Sequence, residues 1–273
     1  MKILIAADME GISGVVNWDQ VTRSHSEYPR FRRIMTGDVN AAVRGAYEAG
    51  ASEVVVSDGH SFAGNILVEG LDHRARLNSG SPSPFSMVQG IEAGVNGVLL
   101  VGYHARAGSQ SAILDHTWSS ASVANLWLNE NLVGETGLNA AICGYFGAPV
   151  LMITGDQTVC AEAQELLGPI ETVVVKRASG RMAAECLPPQ VTQEMICEAA
   201  SRAVRRLLEG KAPEPLRLAE PVQVAIEFFN SEMADKAGLL PGARRLDGRR
   251  IAFTASDMRA AYTGFRAAVS LTS

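Results

Sequence analysis

The sequence predicts an α/β fold, in which a mainly parallel sheet is sandwiched by helices and a second, smaller α/β domain follows. Short apolar runs alternate with helix-like stretches along the chain. These runs are continuously apolar rather than alternating with polar residues, which is typical of parallel strands buried on both faces. The pattern is interrupted at Pro188 and Pro189, so we predict one domain over residues 1–188 and the smaller one over residues 189–273.

The elements of the first domain follow from its apolar runs, beginning with a strand at 2–8. A helix is predicted over 36–51, because Thr36 is suited to cap its start and Gly50 to end it. Residues 61–90 are expected to be loop-rich. The remaining strands are predicted at 52–60, 97–104, 148–156 and 171–177, and the remaining helices at 134–147 and 160–168.

The second domain is predicted from a different pattern. A charged helix over 191–209 is followed by a polar, Pro-rich segment at 211–221. The pattern then indicates strand, helix, strand and helix, placed at 222–229, 230–237, 250–254 and from Ser256 onward.

The composition excludes several classes of protein. With a net charge of −5, the chain offers no basic surface for nucleic acid or an anionic membrane. Met1 and Lys2 lead into a run of only five apolar residues before Asp8, and no apolar run approaches a membrane span of about 18 residues. The four cysteines show no paired spacing and are expected to be reduced and buried. We therefore expect a cytoplasmic protein without nucleic-acid or membrane partners.

Acidic and imidazole side chains follow three of the predicted strands, at the point where each strand ends. Because the carboxyl ends of parallel strands lie on one edge of a sheet, these side chains are expected to meet there. Residues i and i+2 of an extended segment point to the same side, so Asp8 and Glu10 are expected to face one point. The residues brought to this edge are Asp8, Glu10, Asp58, His60 and His104.

A divalent transition metal would explain this cluster, since an unpaired buried carboxylate costs several kcal/mol. Mixed carboxylate and imidazole ligands suit zinc first, and manganese or cobalt next. Glu135, at the start of a predicted helix, and His116, which follows His104 in the chain, also fit the site. Asp58 is expected to orient His60 rather than to bind the metal itself.

These residues also have structural interpretations. The acids after the first strand could form a capped loop, and Glu135 alone is explained by the preference of acids for the first helical turn. His25 and His73 lie in polar stretches and are expected at the surface. The arginines of FRRIM (31–35) are expected on a solvated face, although one of them could bind a substrate carboxylate.

Six motifs resemble those of one family, the D-aminopeptidases of the DppA type (peptidase family M55). The resemblance runs in order from Met1 to about Arg177, with a weaker echo beyond it. The motifs are DMEGISG (8–14), SDGH (57–60), PFSMVQG (84–90), GYHARA (102–107), GETGLNA (134–140) and PVLMITGD (149–156).

The resemblance implies a dinuclear zinc site with Asp8, Glu10, His60, His104 and Glu135 as ligands, in which Asp8 bridges the two ions. His116, which precedes Thr117, matches the family's catalytic histidine, and the loop before it is one residue longer here. The family's fold is an α/β sheet domain with a smaller α/β domain. The resemblance further implies ring-like homo-oligomers, decamers, that enclose the active sites.

The predicted function is therefore that of a zinc-dependent D-aminopeptidase, which releases N-terminal D-amino acids of the D-Ala type from short peptides. Two metal ions would activate a water molecule as the nucleophile. His116 is expected to donate a proton or to stabilise charge rather than to act as the nucleophile. Two alternatives stay open: another metal-dependent amidohydrolase, and a non-catalytic, metal-stabilised peptide-binding protein. A binding protein would need the metal ligands but no proton donor at His116.

Overall fold

The fold was analysed in a computed structural model, which describes residues 1–272. Its strands are β1 (Lys2–Ala7), β2 (Glu53–Asp58), β3 (Ala75–Asn78), β4 (Gly97–Val101), β5 (Val123–Leu128), β6 (Asn131–Val133), β7 (Val150–Asp156), β8 (Glu171–Gly180), β9 (Ala183–Cys186), β10 (Val222–Phe228), β11 (Arg244–Arg245) and β12 (Arg250–Ala255). Its α-helices are α1 (Tyr28–Glu48), α2 (Glu135–Tyr145), α3 (Gln157–Leu167), α4 (Pro189–Leu208), α5 (Ser231–Ala237) and α6 (Met258–Ser270).

The first sheet has seven strands in the order β3-β2-β1-β4-β7-β8-β9, and it is parallel except for β9. Strand β1 lies near its centre, between β2 and β4. Its side chains from Ile3 to Ala7 are fully buried, which explains why the run is apolar without interruption. The predicted α/β class with a mainly parallel sheet is confirmed.

Both faces of this sheet are covered. Ile3 and Ile5 of β1 belong to a core cluster shared with α1 and α4, whereas Leu4 belongs to a second cluster that includes Leu138 of α2 and Phe265 of α6. The alternation of side chains along β1 thus divides the core into two layers on opposite sides of the sheet.

The second sheet is antiparallel, with the strand order β11-β12-β10-β5-β6. Strands β5 and β6 lie before residue 188, whereas helix α4, which lies after it, packs against α1 and β8. The sheets therefore do not follow the residue-188 boundary, and the division into domains stays a prediction.

Some elements differ from the predicted ones. Helix α1 begins at Tyr28 rather than Thr36, because Pro29 occupies the first turn, where its missing N–H is tolerated. Strands β3 and β9 were not predicted; β3 lies in the stretch expected to be loop-rich. Both are edge strands of only four residues, too short to show a clear apolar pattern.

Two expectations from composition can be compared with the structure. The four cysteines are free, but only Cys143 and Cys160 are buried. The expectation of burial is wrong for Cys186, which is exposed, and for Cys197, which is partly exposed. Within residues 1–272, every helix is too short or too polar to cross a lipid bilayer.

Candidate metal centre

The register of the first sheet brings three strand ends to one place. Ala7, the last residue of β1, is paired with Asp58 on one side and with Val101 on the other. The Asp8 N–H donates to the Val101 carbonyl at 2.8 Å, which extends this pairing one residue further. The segments that carry Asp8, His60 and His104 therefore leave the sheet side by side.

Glycines allow the backbones to approach at this edge. A Cβ atom on Gly11 would lie 1.8 Å from the Tyr103 carbonyl oxygen, so no other residue fits there. Gly102 has a φ of 77°, a left-handed conformation that suits glycine. The Gly11 N–H donates to the Gly102 carbonyl at 2.7 Å, and this bond ties the loop after β1 to the loop after β4.

The five side chains predicted as ligands form one continuous, buried cluster. His60 Nδ1 lies 3.0 Å from Glu10 Oε2 and 3.4 Å from Asp8 Oδ1. His104 Nε2 lies 3.4 Å from Asp8 Oδ2 and 3.1 Å from Glu135 Oε1. The two oxygens of Asp8 thus face two different histidines, and Asp8 joins the two halves of the cluster.

Helix α2 supplies Glu135, and its neighbour in space is His116. The His116 Nε2 lies 3.6 Å from Glu135 Oε1, and its ring stacks on His104 with centroids 3.9 Å apart and planes 10° from parallel. The backbone N–H of Trp118 donates to the same Glu135 oxygen at 2.7 Å. The five predicted ligands and His116 are therefore brought together.

The donor set fits a metal. Within residues 1–272, Asp8 Oδ2 and His104 Nε2 are buried and have no hydrogen-bond partner. Two groups, Asp8-Glu10-His104 and His104-His116-Glu135, each offer ligand atoms that lie within 4.8 Å of one another. Carboxylate oxygens and imidazole nitrogens at this spacing suit zinc or a similar divalent ion.

Each of the three histidines points one ring nitrogen at a backbone carbonyl and the other at this cluster. His60 Nε2 lies 2.9 Å from the Val21 carbonyl, His104 Nδ1 lies 3.0 Å from the Ala105 carbonyl, and His116 Nδ1 lies 2.8 Å from the Leu114 carbonyl. A carbonyl oxygen only accepts, so these nitrogens carry the proton. The opposite nitrogen of each ring faces the carboxylates, and this arrangement is typical of metal-binding histidines.

The electrostatics of the cluster indicate crowded negative charge. Burial, together with the neighbouring charge of Glu10, raises the pKa of Asp8 to about 7. Burial opposes the charged form of His104, but Glu135 and Asp8 outweigh it and raise the pKa of His104 to about 10. Burial and the charge of His104 lower the pKa of His116, which favours its neutral form. A cation among these carboxylates would relieve their mutual repulsion.

The loop that carries His116 is fixed by the tip of the β8–β9 hairpin. Arg181 Nε donates to Asp115 Oδ1 at 2.8 Å, and its Nη2 donates to the Asp115 carbonyl at 2.9 Å. The same guanidinium lies over the Trp18 ring, whose edge contacts His116 at a centroid distance of 5.6 Å. Leu114 adopts a left-handed φ of 50°, which is uncommon for leucine, so the path of this loop could not be predicted from its sequence.

A buried lysine holds the loop after β1 from the other side. Lys176 Nζ donates to the carbonyls of Glu10 at 2.6 Å, Ile12 at 3.0 Å and Val15 at 2.7 Å. Burial lowers the pKa of Lys176 to about 8, so its charged form persists at neutral pH. Sequence reasoning missed this residue, and its one signal is a lysine at the end of the apolar run ETVVVK (171–176).

The expectation that Asp58 orients His60 is wrong. Asp58 does not contact the His60 ring; its carboxylate accepts hydrogen bonds from Asn65 and from the Ile66 N–H, and it shapes the loop instead. Of the arginines at 31–35, Arg33 is exposed, as expected for a solvated face, and Arg32 donates to the carbonyls of Asn65 and Gly64; neither lines the cavity beside the cluster. His25 and His73 are exposed, as expected.

That cavity has a volume of about 790 Å³ and opens onto the cluster. Asp8, Glu10, His60, His116 and Glu135 form one part of its wall. Its volume lies within the range of ligand-binding sites, about 300–1,000 Å³. The cluster is therefore accessible to a small molecule such as a short peptide.

A parallel α/β sheet with buried carboxylates and histidines at the carboxyl edge of its strands, beside an open cavity, is typical of metal-dependent hydrolases. The chain belongs to the peptidase M55 family of D-aminopeptidases, whose family model matches residues 1–267. It is therefore a peptidase, a hydrolase of peptide bonds. The family resemblance predicted from the sequence is confirmed.

Two relatives support this assignment. A D-aminopeptidase of Bacillus subtilis (strain 168) is 38% identical over 263 residues, which cover 96% of this chain and 94% of that protein. The solved structure of the Zn-dependent D-aminopeptidase DppA from Bacillus subtilis, described as a self-compartmentalizing protease, matches with a TM-score of 0.95 and 36% identity. The match covers 100% of this chain and 98% of that one.

Proposed function

We propose that this chain is a zinc-dependent aminopeptidase that releases N-terminal D-amino acids, of the D-alanine type, from short peptides. The observation that carries the proposal is the buried cluster in which Asp8 presents one oxygen to His60 and the other to His104. The Zn-dependent relative of similar fold supports zinc as the metal.

Two zinc ions per chain would be held by Asp8, Glu10, His60, His104 and Glu135. Glu10 and His60 lie on one side of Asp8, and His104 and Glu135 lie on the other. Asp8 is thus suited to serve both ions. Zinc bound there would lower the pKa of a water molecule to about 7 and would polarise the peptide carbonyl.

His116 is suited to move a proton. Its Nδ1–H donates to the Leu114 carbonyl, which leaves the Nε2 lone pair facing the cluster and the cavity. This nitrogen can accept a proton during attack on the peptide carbonyl and return it to the leaving amine. Stacking on His104 and contact with Trp18 hold the ring in place for that transfer.

Two alternative functions, a broader metal-dependent amidohydrolase and a non-catalytic peptide-binding protein, can be distinguished in one experiment. The protein would be prepared metal-free and zinc-loaded, and each form would be incubated with matched L-alanyl and D-alanyl dipeptides. We expect hydrolysis by the zinc-loaded form alone, and of the D-alanyl peptide far faster than the L-alanyl peptide. Equal hydrolysis of both would indicate a broader amidohydrolase, whereas binding without hydrolysis would indicate a peptide-binding protein.

We further infer a closed homo-oligomer that encloses the active sites, which the self-compartmentalizing relative supports. The family resemblance implies that this oligomer is a ring-like decamer. Light scattering at micromolar concentration would measure its mass, and a monomer would contradict the inference. An enclosed site should also spare a folded protein substrate while cleaving a dipeptide. The cytoplasmic location stays a prediction.

A further inference from the structure

The charges of the cavity wall are unequally distributed. Its acidic side chains, Asp8, Glu10 and Glu135, belong to the candidate metal centre. Of the arginines and lysines in residues 1–272, Arg23 and Arg266 line this cavity. A short peptide carries an amine at one end and a carboxylate at the other. Its carboxylate would be repelled by the acidic cluster and attracted by an arginine elsewhere on the wall.

Arg266 of helix α6 is held in place by two contacts. Its Nη1 donates to the Pro84 carbonyl at 2.5 Å, and its guanidinium lies over the Tyr262 ring at 5.7 Å. Tyr262 is fully buried and meets Trp118 edge-on at a centroid distance of 6.1 Å. Because the Trp118 N–H binds Glu135, one aromatic ring separates Arg266 from a residue anchored to the metal centre.

Arg23 differs from Arg266 in its surroundings. Its side chain is exposed, and it lies in the loop before helix α1. An exposed arginine must lose more side-chain entropy to hold a ligand than one already held by neighbours. Arg266 is half-buried, so its side chain loses less entropy than that of Arg23 when it binds a ligand.

We propose that Arg266 binds the C-terminal carboxylate of the peptide substrate; this inference rests on the peptidase function proposed above. In the free protein only the Nη1 of Arg266 donates a hydrogen bond among the described residues, so its other donors are available to a carboxylate. An extended peptide lengthens by about 3.3–3.6 Å per residue. A cation at a fixed distance from the metal centre therefore selects peptides of one length with a free carboxyl end.

The test compares free-acid and C-terminally amidated forms of the same two peptides, D-Ala-D-Ala and D-Ala-Gly-Gly, with the zinc-loaded enzyme. The measured quantity is the ratio of kcat/KM for the acid to kcat/KM for the amide. We expect the wild-type enzyme to prefer the acid of at least one peptide by about 10- to 100-fold, the range for a hydrogen bond to a charged group. Arg266→Gln should abolish that preference, and Arg266→Lys should retain part of it because charge remains without the planar fork.

The amide substrate separates recognition from folding. A variant that is merely misfolded would lose activity toward acid and amide alike and leave their ratio unchanged. Arg259→Gln is the matched control, since Arg259 lies on the same helix, stacks over Phe85 and does not line the cavity. It should preserve the wild-type ratio.

Four results would overturn the proposal. An unchanged ratio in Arg266→Gln would show that this residue does not read the carboxylate. If the preference for the acid were lost in Arg23→Gln but kept in Arg266→Gln, carboxylate binding would be assigned to Arg23 instead. Absence of hydrolysis of acid and amide by the zinc-loaded wild-type enzyme would refute the peptidase function and this inference with it, whereas hydrolysis without preference would refute this inference alone.

Discussion

Replacing Lys176 by methionine tests whether the loop after β1 is held in place from beneath. Methionine has a similar length, but it removes the ammonium group that binds the carbonyls of Glu10, Ile12 and Val15. Each buried carbonyl left without a donor costs about 1–3 kcal/mol. The variant also escapes the cost of burying a charge, which is several kcal/mol. We expect a net loss of about 3 kcal/mol in the free energy of unfolding.

This loss has two measurable consequences. For a chain of this size, 1 kcal/mol shifts the melting temperature by about 2–4 °C, so calorimetry should show a decrease of about 6–12 °C. Because the same loop carries Asp8 and Glu10, zinc affinity should also fall by about 10- to 100-fold, the effect typical of groups that orient ligands. A competition titration against a chromogenic chelator would measure that affinity.

The control is Lys211→Met, since Lys211 pairs with Glu209 and its side chain is 70% exposed. It should change neither quantity. A lower melting temperature with unchanged zinc affinity in Lys176→Met would refute the reasoning, because the lysine would then stabilise the fold without positioning the ligands.

Four further predictions concern single substitutions. His116→Ala should keep its metals but lower kcat by about 10²- to 10⁴-fold, as expected for a lost proton-transfer group, with kinetics and metal content measured on one preparation. Asp8→Ala should lose both metals and Glu135→Ala mainly one, because the two Asp8 oxygens face the two halves of the cluster; elemental analysis would count the ions. Arg181→Met should lower kcat by up to about 10²-fold with little change in KM, because it frees the loop of His116. Burial raises the pKa of Asp38 to about 6, above its unfolded value of about 4, so the fold favours the protonated form. As pH rises from 4 through 6, the wild type should therefore lose up to about 3 kcal/mol of stability relative to Asp38→Asn, as measured by urea unfolding.

Each of these predictions can fail in a distinct way. Normal turnover in His116→Ala would make this histidine a packing residue, and loss of metal would make it a ligand. Equal metal loss from Asp8→Ala and Glu135→Ala would contradict the shared role of Asp8. The prediction for Arg181→Met would fail if its kcat matched that of Arg177→Met, a control at an exposed position of strand β8. If the free energies of unfolding of the wild type and Asp38→Asn changed in parallel with pH, the raised pKa of Asp38 would be contradicted.

The strands that carry the candidate ligands could be predicted because their signals are local. A continuous apolar run followed by Asp8 or His104 indicates both a buried strand and its exposed end, and parallel pairing then fixes where these ends meet. Glu135 was predicted at the start of a helix for a similar reason, and α2 begins there.

The rest of the site depends on long-range contacts that local patterns do not encode. The pairing of β5 with β10 joins residues that are far apart in the chain, and the residue pattern of either strand does not identify the strand it pairs with. The position of His116 depends on a left-handed residue at Leu114 and on Arg181. Lys176 looks like a strand-end lysine in the sequence, and only the fold shows that three carbonyls surround it.

The order of the second sheet's strands along the chain has a consequence for folding during synthesis. Strands β5 and β6 leave the ribosome early, but their neighbour β10 begins only at Val222. At about 5–20 residues per second, synthesis of the intervening stretch of about 90 residues takes roughly 5–20 seconds. Throughout that interval one edge of β5, with the sequence VANLWL, has no strand to pair with. Newly synthesised chains are thus exposed to pairing with one another at this edge, and chaperone binding during translation would be needed most while it stays open.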